Sequence, residues 1–164
     1  MNYLRFNWSE PTALSAELIK PLAQISLQLD THGRPMNATL WRTDGTGLRI
    51  QSKMHDVAER REVGILKFSY VSFPSEDETI VDVRSRFGHE LVVSKLIIQE
   101  SGTSAESGIV IKTTAGLEIL IVVGAMPYSL AVSGILRGTH IFEPEYPVDR
   151  YKNVAITKPG SFDS

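Results

Sequence analysis

Residues 109–123 limit most sharply what this chain can fold into. Ten of these fifteen are apolar (Ile109, Val110, Ile111, Ala115, Leu117, Ile119, Leu120, Ile121, Val122 and Val123), and the polar stretch Lys112 to Thr114 splits them. Each half has strand length, and Gly116 beside the break can take positive φ, so the segment predicts two strands folded back at the centre of a sheet. Such a hairpin organises a core and carries no chemistry of its own.

The same period of two recurs along the chain. Ile25, Leu27 and Leu29 alternate with Gln24, Ser26 and Gln28, the pattern of a strand with one packed face. Ala38 to Arg42 and Leu48 to Lys53 flank Asp44-Gly45-Thr46-Gly47 and predict a hairpin. Gly64 to Phe73 predicts a strand with Leu66, Phe68 and Tyr70 inward, and Ile80 to Phe87 one with Asp82, Arg84 and Arg86 toward water. Leu91 to Ile98 is nearly continuously apolar, the mark of burial on both faces. Tyr128 to Val132 alternates again, after a proline that confines it to an edge or a bend. One helix is predicted over Ser9 to Ile19, capped by Ser9 or Thr12 and stopped by Pro21. His55 to Glu62 is charged and ambiguous, and Ser101 to Gly108 reads as a loop of small residues. The expected fold is mainly β, an antiparallel sandwich or barrel of about eight or nine strands with one or two short helices. Residues 1–141 form the globular domain in this reading. Residues 142–164, rich in proline and aromatics, form an extended tail that packs on the domain or on a partner.

Composition narrows the function. Net charge is −2, and the basic residues come as isolated pairs, Arg60 with Arg61 and Arg84 with Arg86, so nucleic-acid binding is disfavoured. No cysteine is present, which removes thiol nucleophiles and thiolate metal sites and fits a reducing compartment. Residues 1–8 hold no apolar signal region, and no apolar run approaches the ~18 residues of a spanning helix. The expectation is a soluble, cytoplasmic chain, without a cofactor or a metal. The pattern resembles small soluble bacterial proteins in general, and no motif in it specifies a family.

The residues able to carry chemistry are few. Of four histidines (His32, His55, His89 and His140) none sits in an HExxH or HxH spacing. His55 would share a helix face with Glu59 if 54–62 were helical, with Asp56 as a third donor, although a charged surface connector explains the same residues. His89 falls at a turn tip, where a scaffold can present polar groups to a ligand. Asp82, Arg84 and Arg86 on one strand face can hold an anion, or form a solvated ladder that neutralises itself. Glu143, Glu145 and Asp149 lie in an extended stretch with nothing local to shift their pKa values, which argues against paired-carboxylate chemistry. There is no GxSxG elbow and no phosphate loop. Phe142, Tyr146 and Tyr151 suit contacts, because an extended aromatic segment fixed by proline loses little entropy on docking.

These readings favour a non-enzymatic binding or protein-interaction module, such as a toxin-neutralising or regulatory partner. Self-association as a homodimer through the Tyr128 to Val132 edge or the tail fits equally. The rival expectation is a small enzyme or ligand-binding barrel whose loops gather His55, His89 and Asp82 into one histidine and carboxylate site.

Overall fold

The computed structural model describes residues 2–58, 61–134 and 140–156. Alternating apolar residues build eleven strands among them: β1 (Asn2–Leu4), β2 (Leu22–Leu29), β3 (Pro35–Arg42), β4 (Gly47–Ala58), β5 (Arg61–Val71), β6 (Thr79–Asp82), β7 (Leu91–Glu100), β8 (Thr103–Thr113), β9 (Glu118–Val123), β10 (Leu130–Ser133) and β11 (Lys152–Ile156). Two short helices, α1 (Leu14–Leu18) and α2 (Arg84–Phe87), interrupt them. One sheet runs β10-β9-β8-β7-β11 with β1 beside β8, and the other runs β5-β4-β3-β2-β6. All the ladders are antiparallel except that of β1 with β8. The sheets pack face to face as a β-sandwich, not as a closed barrel.

The hairpin of β8 and β9 is the innermost ribbon. Ile109, Ile111, Ile119, Ile121 and Val123 meet Ile25, Leu27, Leu40, Leu48, Ile50, Leu66 and Phe68 of the other sheet. Each such fully buried side chain contributes about 1.5–3 kcal/mol of transfer free energy. On the opposite face Val110 and Val122 join Leu96, Ile98, Ala105, Val63, Ile65 and Tyr151 in a second apolar cluster. Leu117, in contrast, sits exposed at the hairpin tip, where Gly116 takes φ 89°. β7 and β8 join through Ser101 and Gly102, both at positive φ (51° and 75°), as a two-residue turn matched to strand twist requires.

β8 is longer than either neighbour on its free side: β9 covers Gly108–Lys112, and β1 covers Thr103–Ala105. In the gap a bulge lifts Ser107 out of register with β7, and its hydroxyl donates to the Gly64 carbonyl of β5. A Cβ at position 64 would collide with Val123, so glycine there lets the second sheet abut the first.

Several local expectations change. α1 covers only Leu14–Leu18 and follows an extended Ala13 with no side-chain cap, so neither Ser9 nor Thr12 caps it. Ser101 to Gly108 is not a loop: β8 begins at Thr103, and Thr103, Ala105, Glu106 and Ser107 are buried between neighbouring strands. The strand from Ile80 ends at Asp82, because the chain turns at Val83 into α2 and takes Arg84 and Arg86 off the sheet face. The ambiguous stretch after Lys53 is strand through Ala58, so Met54, His55 and Asp56 are not helical. Glu59 lies outside the described residues. Within the C-terminal stretch, Lys152–Ile156 pairs with β7, and Ile156 reaches the main core.

Candidate functional site

β4 is paired with β5 along its whole length, but its ladder with β3 runs only from Ala38–Ile50 to Trp41–Gly47. Beyond Ile50 the two strands part, because β3 stays with β2 while β4 follows β5 toward the first sheet. The result is a fork in the second sheet, and its orientation follows from ladder geometry. Asn7 N–H donates to the Leu66 carbonyl, and Phe68 N–H donates to the Asn7 carbonyl, both on the side of β5 away from β4. Leu66 and Phe68 therefore occupy non-hydrogen-bonded pairs with Ser52 and Ile50, and the alternation makes Met54–Gly64 another. Ser52 and Met54 thus turn their N–H and C=O groups away from β5 and into the fork, where no strand pairs with them among the described residues.

A cleft of about 520 Å³ occupies this fork, lined by Met36 and Asn37 from β3, Gln51 to Met54 from β4, Lys67, Gln28 and Tyr128. Strand alternation divides the lining. Met36, Ser52 and Met54 belong to the inward set; Gln28, Asn37, Gln51, Lys53 and Lys67 belong to the outward set, with Gln28 opposite Asn37 and Gln51 opposite Lys67. Lys53 and Lys67 are exposed, and no carboxylate among the described residues lies within ion-pair distance of either. Asn37 and Ser52 are buried, at 6% and 9% exposure. Their Oδ1 and Oγ atoms have no hydrogen-bond partner, a state that costs about 1–3 kcal/mol per group unless a partner arrives. A cation pair beside orphaned acceptors and an open strand edge is equipped to hold a polar or anionic group.

Tyr128 supplies the wall from the opposite sheet. It is 67% exposed and sits at φ 65°, a left-handed conformation that strains a bulky residue by about 1 kcal/mol or more. Tyr128→Gly should therefore leave the thermal midpoint unchanged or raise it slightly, while weakening whatever the cleft binds. A drop in the midpoint measured by calorimetry would show that the ring holds the fold and not a ligand.

Of the residues singled out from sequence, Asp82 meets Arg84 and Tyr146 meets Tyr151, while His55 stands on a different strand from either pair. Asp82 ends β6 and accepts from the Arg84 backbone N–H, and both are exposed. His89 is exposed in the connection after α2. His55 stands on β4 opposite Val63, half-buried, with no partner for Nε2. Between β4 and β6 lie β3 and β2, so interstrand spacing alone separates His55 from Asp82 by about 14 Å. Among the described residues no three histidines or carboxylates gather as a metal would need. Tyr151 is buried in the second apolar cluster with Tyr146 against it, their rings 6.4 Å apart, while Phe142 is 38% exposed.

The tail instead carries a carboxyl that burial raises strongly, that of Glu145. Glu145 accepts from the Gly64 N–H (3.3 Å) and its own N–H donates to the Val123 carbonyl (2.9 Å). Burial, with lesser pushes from Glu100 and Glu62, lifts its carboxyl to about 7, against the pull of the Gly64 N–H. Burial first, then the Glu145 and Glu100 carboxylates, pushes the Tyr146 phenol up to about 12.

Sequence reasoning did not find the fork, since only strand divergence brings Asn37, Ser52, Lys53 and Lys67 together. Its one trace is the loss of apolar alternation in β4 after Ile50. No helix among the described residues is long and apolar enough to cross a membrane. No family model, no curated protein and no solved structure matches this chain.

Proposed function

We propose that the protein is a non-enzymatic interaction module that takes up an extended segment of a protein partner as an added strand in the fork between β3 and β4. The observation that carries this reading is the open face of Ser52 and Met54 on a strand that is paired on its other side throughout. Main-chain bonds to such an edge give affinity without demanding a preformed pocket, the usual physics of strand addition. A neutralising or regulatory role suits this device, because an extended segment captured as a strand is withdrawn from its own activity. The absence of cysteine fits a partner met in a reducing cytoplasm.

The edge strand β10 is less suited to pairing with a second copy. It has four residues, and the Val132 carbonyl is already bonded to His140 Nε2.

The test is to select binders from a library of unstructured peptides against the full chain, then follow amide hydrogen exchange by NMR. The Ser52 and Met54 amides should exchange quickly in the free protein and become protected in the complex. Binders that protect another surface, or amides already protected without a partner, would remove the reading.

A further inference from the structure

We propose that the segment captured in the fork alternates acidic and apolar residues, the acids lying outward beside Lys53 and Lys67 and the apolar side chains pointing inward against Met36, Met54 and Tyr128. This rests on the strand uptake proposed above and adds the chemistry of the partner.

The argument starts from the two faces of an added strand. Its side chains alternate, so one set must share the outward face with Gln51, Lys53, Lys67 and Asn37, and the other must enter between the sheets. The outward face offers two ammonium groups without a counter-charge among the described residues. Nearby Arg49, by contrast, has Glu78 at 3.7 Å. In a chain of net charge −2 this local excess of positive charge selects an acidic partner. The inward wall is two methionines and a tyrosine ring, surfaces that adapt to apolar side chains of varied shape.

A third feature sets the polarity of the wall. The Asp77 carboxylate can only accept, so Gln28 turns its amide NH₂ to it (3.1 Å) and its carbonyl to Asn37 Nδ2 (2.6 Å). That chain of bonds leaves Asn37 Oδ1 as the unpartnered acceptor. A backbone N–H of the incoming strand is the donor it lacks.

The experiment uses the full-length protein and fluorescently labelled synthetic peptides of equal length in a polarisation assay. The set is an alternating Glu/Val peptide, an alternating Lys/Val peptide, and each of these with every second amide N-methylated. At low salt the Glu/Val peptide should bind at least about tenfold more tightly than Lys/Val, with the gap narrowing to a few-fold near ~0.5 M salt. The double variant Lys53→Glu/Lys67→Glu alters exposed residues only, and it should reverse the preference while melting at the wild-type temperature. N-methylation should abolish binding. Equal affinity for Glu/Val and Lys/Val, both lost on N-methylation, would overturn the alternation and leave strand uptake standing. N-methylated peptides that bind as well as their parents would overturn strand uptake and the proposal with it. A fork found by light scattering and exchange to be filled by a second copy of this chain would overturn the proposal as well.

Discussion

Replacing Glu106 with alanine is expected to cost about 3–5 kcal/mol of folding free energy and to lower the thermal midpoint by on the order of 10 °C. Its carboxylate is 1% exposed and receives three donors: Lys95 Nζ at 2.7 Å and the Tyr3 hydroxyl at 2.8 Å on Oε2, and the Phe6 backbone N–H at 2.7 Å on Oε1. Burial, reinforced by that bond to Glu106, pushes the Tyr3 phenol well above its ordinary range. These contacts tie β1 and the chain after it to β8, across the gap that β9 leaves open. Removing the carboxylate takes a counter-charge from a buried ammonium and a shared acceptor from Tyr3 and Phe6, and that is far costlier than losing a surface pair. Exchanging both charges for apolar residues, Lys95→Met with Glu106→Leu, should recover more than half of the loss. Urea unfolding of the two variants measures both numbers. A loss below about 1 kcal/mol for Glu106→Ala would mean that water replaces the carboxylate and that the site is wetter than its burial implies.

The second large effect is a dependence of stability on pH that Glu145 imposes. Its carboxyl titrates near 7 in the folded chain, against 4.5 ordinarily. Below about pH 4.5 it is protonated in both states and contributes nothing to the difference. As pH rises from there to about 7, the unfolded chain releases a proton that the folded chain retains, so stability falls across that window and then levels off. At pH 8 the penalty is about 1–3 kcal/mol, the lower end allowing for the partial exposure of this group. Glu145→Gln keeps an acceptor for the Gly64 N–H and removes the charge. It should match the wild type near pH 4.5 and exceed it at pH 8. Parallel urea midpoints for the two proteins from pH 5 to 8 would show that the carboxylate is solvated in the folded state.

How far the sequence could be read depended on whether pairing was local. The β8–β9 ribbon was legible because each half is a continuous apolar run and the turn between them carries Gly116. The β3–β4 turn was legible through Gly45 at φ 90°. β8 before Gly108 was not, because its buried residues are small or polar and owe their burial to β1, about 100 residues earlier in the chain. The end of β6 at Asp82 was missed for a related reason. Val83 and Phe87 continue the apolar period, but they reach the core from a bend and a helical turn. The fork lay further out of reach still. Asn37, Ser52, Lys53 and Lys67 are ordinary strand residues, and nothing in their identities says that two neighbouring strands will separate there.

The parallel pairing of β1 with β8 also bears on how the chain is made. Asn2 to Leu4 leave the ribosome about 100 residues before Thr103 to Ala105, and at 5–20 residues per second that interval is roughly 5–20 s. For those seconds β1 has no ladder to join, so its edge of the sheet closes only after the far part of the chain has emerged.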